Sequence, residues 1–483
     1  MKTPLFSALK RYSEQKPVSY HVPGHKNGTV FLKEYRCQFQ ELLKIDVTEL
    51  TGLDDLHQPS GVIAEAQELL KQLYKTEKSY FLVNGSTAGN IAMIMASCGE
   101  GDVVLVQRNS HKSIMNGILL AGAKPVFLGP EYDLDAKAAT IVKEEIVLEA
   151  LCRFPHAKAL ILTNPTYFGH SCQLDKIVKA AHEKSIPVLV DEAHGAHFVL
   201  GEPFPPSALK AGADVVIHSA HKTLPAMTMG SFLHVQSNLL FFSKIERCLS
   251  MVQSSSPSYP IMASLDLARA YLEEFMDKRK KTSIPSLVQS FIVLLEAFPS
   301  IEIVNSKDES VVKDPLRVSI RSTNGLTGFE LQSIFEKAGI YPELANNDLV
   351  LFVLPLSDQL DLPIEKFTEA GKLLEEAGDL SDRHAPKVKL EKESAHITEL
   401  KFSYKELERL DTEFVSISDA IGFIAAEAVV PYPPGIPYLM PGEDIKKEHV
   451  EYISYMLNTQ THFQGGSQLK NGKILIYKIG KYR

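Results

Sequence analysis

The residues of this sequence best placed to do chemistry are a lysine, an aspartate and a group of small hydroxyl-bearing residues, each just after a short apolar run. Lys222 stands in Ser219-Ala-His-Lys-Thr, behind the run Ala213–Ile217. An amine in such a place can form a Schiff base with an aldehyde. Asp191 follows the run Pro187–Val190, 31 residues before Lys222. A carboxylate held against a pyridine nitrogen keeps that nitrogen protonated, so that the ring acts as an electron sink. Asn84-Gly-Ser-Thr-Ala-Gly-Asn follows the run Ser79–Val83 and precedes an apolar helical stretch from Ile91. Small residues at a helix start expose backbone N–H groups, which suit a phosphate. A Schiff-base lysine, a pyridinium partner and a phosphate cradle are three of the things pyridoxal phosphate asks of a protein. The fourth is groups that hold its ring flat.

Each of these residues also has a plainer reading. The dipeptide His-Lys occurs three times, at His25-Lys26, His111-Lys112 and His221-Lys222, and Lys112 also follows an apolar run. Position after a strand therefore leaves Lys112 and Lys222 both open. Asp191 could be a strand-end N-cap. Asn84-Gly-Ser-Thr could be a turn with a helix cap, and His111 a polar surface residue. Against coincidence stand five polar or glycine-bearing segments that follow apolar runs: Asn84-Gly-Ser-Thr, Arg108-Asn-Ser-His-Lys, Asn164-Pro-Thr, Asp191-Glu-Ala-His-Gly and Ser219-Ala-His-Lys-Thr.

The elements that must position these segments follow from the runs themselves: Ser79–Val83, Val103–Val106, Ala159–Thr163, Pro187–Val190, Ala213–Ile217 and Ser231–Val235. They are short, rich in Val, Ile and Leu, and separated by helix-like stretches. That pattern predicts a mostly parallel sheet buried on both faces. Open α/β sheets bind ligands at the carboxyl ends of their strands. The helix-length segment between Asp191 and Lys222 predicts a βαβ unit that brings both strand ends to one edge. Four regions are expected: an N-terminal arm over 1–60 that packs on something else, a large domain over 61–275, a small α/β domain over 276–397 and a C-terminal domain over 398–483. Strands are expected near Leu316–Arg321 and Leu349–Leu354, with Arg317 and Arg321 read either as strand-edge surface charge or as a carboxylate clamp of the kind aminotransferases use. Residues 377–397 read as a solvated connector, and Pro431-Tyr-Pro-Pro-Gly-Ile-Pro as a rigid turn.

At 483 residues the chain is too long for one core. Its composition, 45% hydrophobic and 23% charged, is that of a globular enzyme, and the net charge of −8 argues against a nucleic-acid surface. The five cysteines contain no CxxC pair, which argues against a disulfide framework or a zinc site and fits a reducing, cytoplasmic compartment. The first residues have no apolar core of signal-peptide length, and no run of about 18 apolar residues suggests a membrane span. No metal is expected.

The chain resembles the ornithine/lysine/arginine decarboxylase family at many points. His21-Val-Pro-Gly-His-Lys-Asn-Gly and Gly52-Leu-Asp-Asp-Leu-His-Gln-Pro are similar to its opening motifs. The five strand-end segments continue the likeness, followed by Ser256-Pro-Ser-Tyr, Ala263-Ser-Leu-Asp-Leu-Ala-Arg, Pro431-Tyr-Pro-Pro-Gly-Ile-Pro and Pro441-Gly-Glu. The resemblance implies a fold-type-I, aminotransferase-like enzyme that works as a homodimer or higher homo-oligomer and uses pyridoxal 5'-phosphate. It implies that Lys222 holds the cofactor aldehyde and Asp191 its pyridinium nitrogen. His111 would stack on one face of the ring and Ala193 pack on the other. His194 would reach the phenolic oxygen, and Gly85, Ser86, Thr87, Ser219 and His221 would cradle the phosphate.

The reaction implied is decarboxylation of a basic amino acid to its amine, arginine before lysine or ornithine, with Lys222 or His221 returning a proton to Cα. A carboxylate about to leave as neutral gas should not be clamped by arginine. Asp54, Asp55, Glu343 and Glu443 are the carboxylates that could meet the distal cation of the substrate. Where the family often has Leu-Thr-Gln-Ala/Ser-Ser after the lysine, this chain has Met227-Thr-Met-Gly-Ser. Met229 in place of Gln bears on substrate preference. The large inducible members carry an extra N-terminal receiver-like domain, and this chain resembles the short, biosynthetic type. The rival readings are another reaction on the same cofactor, such as transamination or a lyase step, and an idle binding or regulatory relative.

Overall fold

The computed structural model describes residues 1–276, 278–378, 380, 396–432, 436–458 and 462–479. The chain divides into two compact units, each built from two stretches: Met1–Ser97 with Leu174–Thr282, and Cys98–Gln173 with Ser283–Arg483.

In the first unit, four strands lie in the order Lys78–Leu82, Ser231–Val235, Val215–His218, Val188–Asp191. Val188–Asp191 and Val215–His218 are parallel. Ser231–Val235 runs antiparallel to both of its neighbours and is the exception among the runs assigned to a parallel sheet. Parallel pairing needs a crossover of a dozen or more residues, usually a helix. Residues 219–230 hold only the single turn Ala220–Lys222, so the chain doubles back. The helix expected between Asp191 and Val215 is also absent, replaced by irregular chain around the turn Phe198–Leu200. The two strands are neighbours all the same, and their carboxyl ends share an edge.

Three helices matter for the site. Val62–Tyr74 buries Ile63, Ala66, Leu70 and Tyr74, a stripe at helical spacing. Its start is held by Asp54, whose carboxylate accepts the amides of Gly61, Ile63 and Ala64 at 2.7, 3.0 and 3.2 Å, and those of Asp55 and Ser60 at 2.9 Å each. Gly85–Ser97 begins at Gly85, whose φ of +76° is open to glycine at little cost. Within it, a Cβ on Gly89 would come 2.7 Å from Leu82 Cδ1 and 3.0 Å from Ile217 Cδ1, so the glycine lets the helix lie close on the strands. Tyr259–Glu274 receives the N-terminal helix Pro4–Glu14. Leu5 and Leu9 are fully buried there, and Asp266 accepts the amides of Leu5 and Phe6 at 3.0 and 3.2 Å. The chain that follows is different: Val18, Tyr20, Leu32 and Phe39 are all exposed, Tyr20 at 93%.

In the second unit, Ala159–Thr163, Val103–Gln107 and Lys124–Leu128 are parallel neighbours, and Ile397–Glu399 pairs antiparallel with Lys124–Leu128. Lys124–Leu128 is a strand beyond the six apolar runs, and it carries Pro125, a residue that sheets usually confine to edges. A second, antiparallel sheet has the order Ile301–Val304, Arg317–Ser322, Val350–Val353, Leu344–Ala345. Arg317, expected at the surface, is only 2% exposed, with Asp314 3.8 Å away. Arg321 alone lies towards solvent, forked onto Glu302 at 2.7 and 3.0 Å. Pro431 belongs to the strand Val429–Tyr432 rather than to a turn, and 433–435 lie outside the described residues, as does most of the expected connector 377–397. A further core gathers Ala425, Val429, Leu439, Ile453 and Ile474. No helix among the described residues is long and apolar enough to cross a membrane, and no cluster of metal-ligating side chains occurs among them.

Candidate active site

Lys78–Leu82, Val188–Asp191 and Val215–His218 all point the same way in the first unit, so the segments after them emerge at one edge. These carry Gly85, Ser86 and Thr87; Asp191, Ala193 and His194; and Ser219, His221 and Lys222.

Lys222 is half-buried, and its Nζ lies 2.9 Å from His194 Nε2. Asp191 is 3% exposed. Its Oδ2 accepts from Asn90 Nδ2 at 2.8 Å and its Oδ1 from the Ala193 amide at 3.1 Å. The second contact closes a turn, so Asp191 both shapes its loop and offers a buried carboxylate. Ser86 and Ser219 meet hydroxyl to hydroxyl at 2.7 Å, which joins the start of the helix Gly85–Ser97 to the segment that carries Lys222. The Ser219 amide donates to Ala193 O at 3.1 Å and ties that segment to the Asp191 loop. His221 Nδ1 donates to Gly230 O at 2.9 Å, which puts a proton on Nδ1. Thr87 is exposed in the first turn of its helix.

His111 belongs to the other unit, so the described geometry does not place it with this set. It caps the helix Lys112–Ala121, its Nδ1 accepting from the Ser113 amide at 3.2 Å. Lys112, the rival lysine, is exposed and donates to Gln464 Oε1 at 2.6 Å. The distal-cation candidates are all engaged. Asp54 caps a helix, as above. Asp55 accepts the His57 amide at 2.8 Å and Glu343 the Tyr167 hydroxyl at 2.5 Å. Glu443 is forked by Arg108 at 2.6 and 2.9 Å.

The donor set of the first unit fits pyridoxal phosphate: one lysine beside an imidazole, one buried carboxylate held by an amide donor, and two hydroxyls at a helix start that has a left-handed glycine. Sequence reasoning missed Asn90, which orients Asp191. A single amide within the apolar stretch Ala88–Ala96 was its signal. It also missed Glu192 and His218, which sit beside named residues and are themselves fully buried.

The model of the Orn/Lys/Arg decarboxylase major domain matches residues 3–306, and that of the family's C-terminal domain residues 387–472. The chain is 47% identical over 478 residues to the Bacillus subtilis uncharacterised protein YaaO, covering 99% of each. It is 35% identical over 475 residues to an arginine decarboxylase of the same organism, covering 96% of this chain and 95% of that one. Lysine decarboxylase LdcA of Pseudomonas aeruginosa is 26% identical over 96% of this chain and 77% of its own length. Among solved structures, the lysine decarboxylase LdcF of Francisella novicida superposes with a TM-score of 0.78 at 19% identity, over 98% of this chain and 81% of that one. Serine palmitoyltransferase of Sphingomonas wittichii gives 0.53 at 20% identity, over 65% of this chain and 77% of its own.

Proposed function

Because the chain belongs to the Orn/Lys/Arg decarboxylase family, it is a pyridoxal-phosphate-dependent decarboxylase of a basic amino acid, and we propose that its substrate is arginine. The observation that carries this choice is that the arginine decarboxylases of Bacillus subtilis and Bacillus anthracis match the chain nearly end to end at 35% and 34% identity, against 26% for lysine decarboxylase LdcA. We further propose a cytoplasmic homodimer or higher homo-oligomer.

Bound pyridoxal phosphate supplies an electron sink for the pair left when the Cα–carboxylate bond breaks. In our reading, Lys222 Nζ would hold the cofactor, with His194 Nε2 2.9 Å away. Asp191 keeps the pyridine nitrogen protonated, and Asn90 and the Ala193 amide fix the direction of its carboxylate. Ser86, Thr87, Ser219 and the amides from Gly85 onward take the phosphate, with His221 beside them. By the family resemblance, His194 would reach the phenolic oxygen, Ala193 would pack on one ring face and His111 would stack on the other. Lys222 or His221 returns the proton to Cα. The arginines Arg317 and Arg321, near Asp314 and Glu302, are not needed as carboxylate clamps. Because Asp54 and Glu443 have full local sets of donors, Asp55 and Glu343 are the first carboxylates to substitute in search of the distal-cation partner.

The test is carbon dioxide release from arginine, lysine and ornithine in parallel by the cofactor-loaded protein. Release from arginine with the matching amine formed supports the proposal. Release from lysine or ornithine alone overturns the substrate. A keto acid in place of carbon dioxide would move the reaction to transamination.

A further inference from the structure

Beneath the loop that carries Ala193 and His194 lies a buried polar group with no part in the mechanism above. Glu192 follows Asp191 directly and is fully buried. Its carboxylate accepts three hydrogen bonds, from Ser207 Oγ at 2.6 Å, the Ala208 amide at 2.7 Å and His218 Nε2 at 2.7 Å. His218, also fully buried, ends the strand Val215–His218 and directly precedes Ser219. Tyr74 packs against the His218 ring, centroids 5.2 Å apart, and its hydroxyl donates to Ala196 O at 2.6 Å. Asp191 pairs with Ile217 in the parallel ladder, so Glu192 and His218 leave the sheet on the face opposite Asp191 and Asn90.

Backbone bonds already join these two strands, and a well-packed apolar pair would close the same space at less desolvation cost. What the Glu192–His218 contact adds is direction. It links the residue after Asp191 to the residue before Ser219, in parallel with the Ser219-to-Ala193 backbone bond. Tyr74 then holds the far end of the same loop. We propose that Glu192 and His218, with Tyr74 behind them, are positioning residues. They set the spacing between the Asp191–His194 loop and the Ser219–Lys222 segment, and so the cofactor affinity and the Lys222–His194 contact. The inference rests on the cofactor assignment above.

The test is a set of substitutions at Glu192 and His218, single and combined, read by cofactor titration of the apoprotein, by the absorbance of the lysine-bound cofactor, and by kcat and KM. Glu192→Ala should weaken cofactor binding about tenfold and lower kcat with little change in the amino-acid KM. Glu192→Gln keeps the shape and should restore most of the loss. His218→Leu should weaken binding similarly, and the double variant Glu192→Ala/His218→Leu should be no worse than the poorer single. If Glu192→Ala does not unfold cooperatively, His218→Gln carries the test, with the same split between kcat and KM. Cofactor affinity within about twofold of the parent in the folded variants, or additive losses in the double, would overturn the proposal. No cofactor uptake by the unsubstituted protein would instead fail the cofactor assignment, and the positioning role would fall with it.

Discussion

Lys222 and Lys112 share a dipeptide and a position after a strand, yet their surroundings differ. Lys222 is half-buried at 2.9 Å from an imidazole, whereas Lys112 is exposed and bonded to Gln464. Lys222→Ala is expected to abolish the visible band of the lysine-bound cofactor and to lower kcat by at least about 10²–10⁴-fold, leaving the circular dichroism unchanged. A retained band would move the assignment to Lys112. Asp191→Asn keeps the shape but not the charge, so cofactor affinity and kcat should fall together, as read by titration and turnover. Both residues stood out in the sequence because their types at strand ends suit this chemistry, but spacing left Lys112 open beside Lys222, and only the family resemblance chose between them. Asn90 did not stand out, because its role depends on which face of a helix meets Asp191. Arg317 was misjudged for the same reason: alternation along a strand does not say which face is covered when both are.

Helix ends and close approaches decide how well the elements hold the site. Burial works to raise the carboxyl pKa of Asp54, but the amides of Ser60, Asp55, Gly61 and Ala64 outweigh it and bring the value below the ordinary one. A carboxylate lowered in the fold stabilises fully above its ordinary value and loses that contribution as the pH falls through the folded one. Asp54→Ala should therefore cost about 1–2 kcal/mol at neutral pH, seen as a lower Tm. The difference from the parent should shrink at pH below 3.8. Element type was readable where runs were continuous and apolar, as at Ala159–Thr163 and Ser231–Val235. Strand direction was not, since it is set by what lies between strands. Nothing in 219–230 announces that its chain turns back, and nothing in 192–214 announces that a crossover can be made without a helix.

The molecule as a whole is made of two units, each from two separate stretches, and such interleaving has no local signature in a sequence. The second unit holds a half-buried lysine: desolvation above all lowers the Lys313 pKa from 10.5 to about 8, and its Nζ donates to Phe168 O at 2.9 Å. Between those two values the unfolded chain keeps a proton that the folded one has lost, so this group makes stability rise with pH across that window. Lys313→Met should flatten that rise, measured as Tm against pH in parent and variant. The exposed apolar residues of 18–39 give a second expectation at this scale. Surface of that kind normally meets a partner, and a second copy of the chain is the partner that the proposed oligomer supplies. Replacing Tyr20 and Leu32 together by serine should weaken self-association in sedimentation velocity; unchanged association would place the contact elsewhere. The interleaving also governs how the protein is made. Lys78–Leu82 has its sheet partner in Ser231–Val235. The ribosome must add about 150 more residues before that partner exists, roughly 7–30 s at usual rates of synthesis. Through that time the nascent chain carries an unpaired strand and the start of a phosphate cradle with nothing opposite it. Its dependence on chaperones should be greatest before Val235 emerges, and the cofactor can find a finished seat only afterwards.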